Sequence, residues 1–566
     1  MTSAELAATV VDALVRGGVT EAVLSPGSRS APLAYALHRA DGDGRLRLHV
    51  RVDERTAGFL ALGLATGSGR PVAVLCTSGT AAANLHPAVL EAAHRGVPLV
   101  VLTADRPGEM VGTGANQTTD QHGIYGSAVR WSAHLDSLVP AAAPTVTRSL
   151  TWALGTFTAD PGPVHLNVAL REPLVASPAA PVGPSGPSLP SPSVPAVPPS
   201  ETSGPADAER TLVLAGDGAT RHREQLTTLA AHWPVIAEPS AGLGGVALDR
   251  GVWLLGSERW LVEHRPERVV VVGAPTLHRA VQRLLADDAV EVVVVAEGPR
   301  WPDAARRARH VVGPVWLARS AAAQPAGSEW WAAWRDAAGV VAAVVDADLD
   351  GSWPSGPAVA RAMLATLPAG AVLQVGSSNP VRDVDVAARA RADVTVVANR
   401  GLAGIDGTVS SALGLALARP DAPAYALMGD LTFLHDLNGL LIGPGEPRPD
   451  STLVVINDDG GGIFATLEQG GLGADGAEVF ERLFGTPTGA DLAALCAGFG
   501  VPHRRISERD DLTGAVAEAP HGIRVLEVAI PRDDRRRAQQ RLTRAVDTAL
   551  MPGNNAASRR VAGSRP

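Results

Sequence analysis

The sequence runs to 566 residues, of which 46% are apolar and 19% charged: enough for about three or four domains with ample core, in the proportions of a globular protein. A net charge of −9 gives no overall attraction for nucleic acid or an anionic membrane surface, and no unbroken apolar run approaches the ~18 residues of a membrane span. All 49 basic side chains are Arg and none is Lys, which excludes Schiff-base chemistry.

The chain opens with MTSAELAATVVDAL. Thr2 and Glu5 have capping-box spacing, and Leu6, Val10 and Leu14 share one helical face, so a first helix is expected there. The stretch has neither the basic start nor the cleavage site of a signal peptide. Up to residue 174, helical stretches alternate with AVLSPGS, PVAVLCTSG, PLVVLTADRP and PVHLNVALREP, the alternation of an α/β unit with a parallel sheet. Residues 175–207 are rich in Pro, Ser and Ala, cannot bury a core, and read as a linker that is semi-rigid where Pro is dense. Residues 208–345 carry TLVLAGDG, RVVVVGAP and VEVVVVAEG, a second, smaller α/β unit. A third unit spans 354–548, and 549–566 is a polar tail expected to be disordered. Cys76 and Cys496, far apart and each in apolar surroundings, read as buried free thiols, in keeping with a cytoplasmic protein.

The third unit echoes the first. AVLSPGS at 22–28 is answered by AVLQVGS at 371–377, ALGLA recurs identically at 61–65 and 412–416, and the strand before Gly79 is matched by a strand before Gly429, all at nearly constant displacement. A duplicated pair flanking an unrelated unit implies two similar sheets facing each other, and ligands favour such junctions.

The densest chemical signal lies between Met428 and Phe464. AYAL before Gly429 and LVVI before Asn457 have the composition of buried parallel strands, and the strand ends of open α/β sheets are where ligands sit. Asp430 and Asp458 would close neighbouring strands, with Gly460, Gly461 and Gly462 leaving backbone groups open to a ligand. Two carboxylates, the Gly460 carbonyl and the oxygens of a diphosphate make an all-oxygen octahedral shell, which suits Mg²⁺. One acid beside Gly would read as a turn; a pair, each closing an apolar strand, favours a site.

This spacing of Gly429 and Asp430 from Asn457, Asp458 and Gly460 resembles the metal and diphosphate motif of the thiamine diphosphate enzymes. SPGSRS at 25–30, VDERTAGFLALGLA at 52–65, GANQ at 114–117, SNPVRD at 378–383 and NRGLAGIDG at 399–407 narrow the resemblance to the menaquinone-pathway branch of that superfamily. The matches run from about residue 5 to 530 and are weakest in the middle third. The resemblance implies an α/β fold of three Rossmann-like parallel-sheet domains, the first and third duplicated. It also implies thiamine diphosphate with Mg²⁺, or Mn²⁺, as cofactors, and 2-oxoglutarate and isochorismate as substrates. The implied reaction decarboxylates 2-oxoglutarate and adds the succinyl group to isochorismate by conjugate addition. The implied assembly is a homodimer or dimer of dimers, with each active site between the first unit of one chain and the third of another.

By the same resemblance Glu54 bonds the pyrimidine ring nitrogen, although VDER alone would equally suit the first turn of a helix. Ser378, Gly404, Ile405, Gly429, Asp430, Leu431, Asp458, Gly460, Gly461 and Ile463 match cofactor positions, with Ile405 either wedged between the cofactor rings or part of the core. Arg29, Arg382 and Arg400 match substrate positions, where planar guanidinium forks suit the carboxylates of both substrates. Ser28, Asn116 and Gln117 match polar ones. Phe464, with Ile463, is either an apolar lining or a helix-start core contact. Two departures stand out: Leu431 replaces a customary Gly, and Asp458 stands where Asn is commoner, so that either Asn457 or Asp458 is the side-chain metal ligand. His278, Arg279 and Arg300 follow middle-unit strands and are left between substrate binding, a regulatory site and neither. An acetolactate-synthase-like carboligase is disfavoured by SPGSRS and the three arginines, and a non-catalytic cofactor-binding relative by the presence of Glu54 together with Asp430. A dinucleotide-binding protein is weaker still, because no GxGxxG opens the first unit.

Overall fold

The computed structural model describes residues 1–136, 141–175, 205, 208–323, 327–471, 476–532 and 535–551. The expected first helix forms over Ser3–Arg16, with the Glu5 amide donating to the Thr2 hydroxyl and the Thr2 amide to the Glu5 carboxylate. The short apolar runs become parallel strands covered on both faces, which is why they read as continuous rather than alternating. β1 (Glu21–Leu24), β2 (Arg47–Val50), β3 (Val72–Cys76), β4 (Leu99–Asp105), β5 (Trp131–Asp136) and β6 (Val164–Ala169) form one sheet in the order β2-β1-β3-β4-β6-β5. β7 (Thr211–Ala215), β8 (Val235–Ala237), β9 (Arg268–Val272), β10 (Glu291–Val295) and β11 (Ala308–Val312) form a second, in the order β11-β10-β9-β7-β8. β12 (Val372–Val375), β13 (Thr395–Ala398), β14 (Ala424–Gly429), β15 (Ser451–Asn457), β16 (His503–Ile506) and β17 (Ile523–Ala529) form the third, in the order β13-β12-β14-β15-β17-β16. Every strand pair in all three sheets is parallel. Counted from its own first strand, each six-stranded sheet has the same order, so the duplication visible in the letters is a duplication of topology.

The repeated ALGLA has a packing cause. It lies on the helices Glu54–Ser68 and Thr408–Ala418, which cross nearly backbone to backbone. A Cβ on Gly63 would come within 2.2 Å of the Ser411 carbonyl oxygen, and one on Gly414 within 2.3 Å of the Leu60 carbonyl oxygen. Each glycine makes room for the other helix. One hydrophobic core consequently runs through both sheets, from Phe59, Leu60 and Leu64 to Val409, Leu413 and Met428.

The middle unit is tied into the third. Its core takes in Trp330, Trp334 and Val341 of the helix Glu329–Asp350, which runs past residue 345, together with Leu542 and Val546 of the helix Arg535–Ala549. In return, Leu277 is buried among Leu373, Leu427 and Val381 of the third unit. Apart from residues 175 and 205, the expected linker at 175–207 lies outside the described residues, as does the expected tail beyond Met551. Among the described residues no helix is long and apolar enough to cross a membrane.

Candidate active site

The third sheet brings Asp430 and Asp458 together as expected. β14 and β15 are neighbours, with Gly429 opposite Ile456, so the residues that follow each strand emerge at one edge. Asp430, only 2% exposed, begins the helix Asp430–His435 and accepts a hydrogen bond from the Gly460 amide at 2.8 Å. Burial, then the Asp458 charge, pushes its carboxyl up to about 7. Burial likewise pushes Asp458 up to about 6, against the pull of Arg535 and Arg532. Burial disfavours charge on both carboxyls, a cost that a bound divalent cation would relieve. Among the described residues no three His, Cys, Asp or Glu side chains could by themselves enclose a metal, so the rest of a coordination shell falls to backbone and ligand oxygens. That donor set fits a diphosphate-bound Mg²⁺.

Asn457 and Asp458 differ in their partners. The Asn457 amide donates to Glu527 Oε1 at 2.8 Å and its oxygen accepts from the Asp459 amide at 2.9 Å, so both of its ends are engaged. Asp458 instead lays its carboxylate over Gly462, where a Cβ would come within 1.8 Å of Oδ2. At the other two glycines the close approach is to protein backbone. Gly460, at φ +141°, and Gly461 are pressed by the Gly485 and Phe484 carbonyls, and the Gly461 amide donates to Gly485 at 2.7 Å. Phe464 is half-buried with its ring centroid 5.6 Å from that of Phe484, and Ile463 and Leu431 are half-buried beside it in sequence and at the strand end respectively. A cavity of about 780 Å³ begins at Asp458 and Asn379, passes Arg382, and reaches His278 and Arg279 of the middle unit.

Glu54 is the first residue of its helix, half-buried. The helix is capped by Asp53, whose Oδ1 accepts from the Arg55 amide at 2.9 Å, so the capping need is met without Glu54. Glu54 faces the end of β3, where its charge adds to burial in pushing the Cys76 thiol upward. Ile405, half-buried, belongs to none of the hydrophobic cores, which favours the wedge over the core contact. Gly404 is kept clear for the Asp406 carboxylate, which a Cβ would meet at 2.2 Å.

The candidate substrate residues fall into two groups. At the first sheet's edge, Arg29 is 5% exposed and donates to the Leu170 carbonyl at 2.8 Å; burial, then the Arg106 charge, lowers its pKa. Arg106 also holds the Asn116 carbonyl at 2.9 Å, and Gln117, at φ +53°, donates to the Ser78 carbonyl at 3.0 Å; Ser28 is exposed nearby in sequence to Arg29. At the third sheet's edge, Arg382 donates to the Ser378 carbonyl at 2.7 Å, and burial with the charge of Arg400 lowers its pKa. Arg400 is 5% exposed and donates to Thr276 Oγ1 at 2.7 Å. Among the described residues no hydrogen bond or ion pair joins the two groups within one chain.

Several participants escaped the sequence. Arg106 follows β4 as Arg29 follows β1, and the same strand-end rule would have found it. Glu91 and Thr276, which hold the loop after β13, left no local pattern because their partners are distant in sequence. Of the middle-unit residues left open, His278 is engaged with Asp385, Arg300 is paired with Asp160 at 2.6 Å, and Arg279 is exposed on the cavity wall.

Residues 4–124 match the N-terminal TPP binding domain of thiamine pyrophosphate enzymes, and residues 383–528 the C-terminal TPP binding domain. The chain is 48% identical over 561 residues to the 2-succinyl-5-enolpyruvyl-6-hydroxy-3-cyclohexene-1-carboxylate synthase of Saccharopolyspora erythraea, covering 96% of this chain and 98% of the relative. It is 49% identical over 569 residues to the enzyme of the same name from Kineococcus radiotolerans, covering 97% and 99%. With that of Mycobacterium bovis the identity is 45% over 565 residues, covering 94% and 97%.

Proposed function

The chain belongs to the 2-succinyl-5-enolpyruvyl-6-hydroxy-3-cyclohexene-1-carboxylate synthase family of thiamine diphosphate enzymes, and on that premise we propose how its residues divide the work. It is a thiamine diphosphate-dependent transferase of menaquinone biosynthesis, joining the succinyl group of 2-oxoglutarate to isochorismate with loss of CO₂. The observation that carries the reading is the pair of buried, raised carboxyls at adjacent strand ends. The three parallel sheets correspond to working domains at 1–174, 208–345 and 354–548.

Asp430, Asp458 and the Gly460 carbonyl would hold Mg²⁺, with Mn²⁺ as a substitute, against the diphosphate. Ser378, Gly404, Gly429, Leu431 and Gly461 would line the cofactor, and Ile405 would separate its rings. Bound thiamine diphosphate supplies stabilisation of negative charge at the carbonyl carbon of a 2-oxo acid. Glu54 would hold a proton at the pyrimidine ring nitrogen, the role its place outside the helix cap leaves open. Arg29, Arg382 and Arg400 would grip substrate carboxylates, with Ser28, Asn116 and Gln117 as polar partners. Ile463 and Phe464 would keep water from the reacting carbon.

We assign the site to a homodimer, alone or paired as a dimer of dimers. Val52, 67% exposed beside Glu54, and Leu402, 53% exposed beside Arg400, are apolar surface next to the site that a second chain would cover. Its free, buried cysteines suit the reducing cytoplasm. The test supplies isochorismate, 2-oxoglutarate, thiamine diphosphate and Mg²⁺ and looks for the condensed product by mass spectrometry. CO₂ release without that product, or neither, would overturn the reading.

A further inference from the structure

Arg400 is gripped from outside its own unit on two sides. The peptide that follows it is fixed by Glu91 of the helix His86–Arg95: one carboxylate oxygen accepts from the Gly401 amide at 2.8 Å and the other from the Leu402 amide at 2.7 Å. Glu91 is 3% exposed, and a Cβ on Gly401 would come within 2.7 Å of its carbonyl oxygen, so the approach requires glycine. The guanidinium is fixed at its tip by Thr276 of the middle unit, while its buried Nε has no partner.

We propose that Glu91 and Thr276 are positioning residues that aim the Arg400 guanidinium at a substrate carboxylate, making the binding step depend on a clasp contributed by all three units. The inference rests on the reading of Arg400 as a substrate-binding residue. A hydroxyl suits this position because it orients one edge of the planar fork without neutralising it, whereas a carboxylate there would compete with the substrate. Thr276 is exposed, but its loop is anchored. The Leu277 amide donates to Glu238 Oε1 at 2.6 Å, the Leu277 side chain lies in the third unit's core, and His278 is engaged with Asp385 on the helix Asn379–Ala387 that also carries Arg382. Glu238 is itself buried, which raises its carboxyl to about 7, and its contact with the Leu277 amide therefore lies away from solvent. The loop therefore acts as a strut rather than a tether.

Thr276→Val keeps the shape and removes the hydroxyl; Thr276→Ser restores it. In the cofactor-loaded enzyme, T276V should raise KM for the substrate that Arg400 serves by about tenfold with kcat held within about twofold, and T276S should stay near wild type. Glu91→Gln, which turns one acceptor into a donor facing an amide, should move KM the same way. The deciding measurement is a double-mutant cycle on kcat/KM, which needs no saturation: if Thr276 acts through Arg400, T276V should add nothing in an Arg400→Met background. A full additional tenfold loss there, a T276S variant as impaired as T276V, or a fall in kcat and melting temperature at unchanged KM would overturn the clasp. Arg400→Met leaving both KM values unchanged would refute the role of Arg400 itself, whereas R400M raising KM while T276V stays silent would overturn the clasp alone.

Discussion

The first and third sheets answer each other down to single hydrogen bonds, and they part in the charge each places at its strand ends. β4 pairs with β6 so that Asp105 stands opposite Ala169, and β15 pairs with β17 so that Asn457 stands opposite Ala529. In the first unit the acid closes the strand and the amide lies on its neighbour, Asn167 Nδ2 donating to Asp105 Oδ2 at 2.6 Å. In the third unit the amide closes the strand and the acid lies on the neighbour, Asn457 Nδ2 donating to Glu527 Oε1 at 2.8 Å. The cross-strand bond is kept and its partners are exchanged. The next residue then differs in charge: Arg106, beside Arg29, in one copy, and Asp458, beside Asp430, in the other. A common scaffold thus offers equivalent strand ends with opposite charge placed just beyond them, which under the proposed reading suits carboxylates at one and a metal at the other.

The sharpest way to break this division is to remove one acid from each copy. Asp430→Ala should abolish binding of thiamine diphosphate with Mg²⁺ in calorimetry, since the proposed metal would carry the diphosphate, whereas Asp105→Asn should retain it. Equal losses would mean that the copies are not divided as described. Next in size is a test of whether the two edges meet across chains. Glu54→Gln and Asp430→Asn chains, each inactive alone, are unfolded together and refolded. If one site takes Glu54 from one chain and Asp430 from the other, half the dimers are mixed, each mixed dimer has one intact site, and about a quarter of all sites recover. A mixture that exchanges chains yet stays inactive would place both groups in one chain.

What could be read without coordinates followed from locality. β1, β3, β4, β6, β12, β14 and β15 are buried almost throughout because both faces are covered, and their apolar runs stood out. The outermost strands did not: β5 reads WSAHLD and β16 reads HRRI, half-exposed sequences whose pattern at sheet edges resembles loop. ALGLA betrayed a duplication, but its cause, two helices meeting at Gly63 and Gly414, lies between segments 351 residues apart and needed the fold. Asp430 and Asp458 stood out as candidates because a strand end, a glycine and an acid are adjacent in the chain, and Glu54 only through the resemblance of its motif. The partner that engages Asn457 was not legible, since it is Glu527, 70 residues on. Glu91 was hidden for the same reason, being a carboxylate on backbone amides 310 and 311 residues away.

The helix crossing offers a symmetric test of the likeness between copies. Gly63→Ala would drive a methyl against the Ser411 carbonyl and Gly414→Ala one against the Leu60 carbonyl, backbone atoms that cannot step aside. Each should lose about 3 kcal/mol in denaturant unfolding, and the two losses should agree closely. Gly42→Ala, in an open position, serves as the control. A large loss at one glycine alone would show that the crossing is lopsided despite its repeated sequence.

The smallest effect separates the copies by how those same helices begin. The helix Glu54–Ser68 is capped locally, by Asp53 at its N-cap. Thr408–Ala418 has no side-chain cap at its Gly407 N-cap; the Ser410 amide donates instead to Asp436, at 2.6 Å and 26 residues on. Asp436 is fully buried with one oxygen unpartnered, and its carboxyl is pushed up to about 7, chiefly by burial, against the opposing pull of Ser410 and Arg55. Because that value lies above the unfolded one, the folded chain keeps a proton that the unfolded chain loses as pH rises from about 4 to about 7. The contribution is therefore full below pH 4 and is lost as pH passes through 7. Asp436→Asn keeps an acceptor for Ser410 and cannot titrate, so the stability of the wild type relative to this variant should fall between pH 5 and pH 8, by on the order of 2 kcal/mol. Urea unfolding of both proteins across that range reads the difference directly, with the other raised carboxyls common to both and cancelling. Parallel curves would mean that Asp436 is ionised throughout, and that the third unit's helix is held by a charge just as the first one's is.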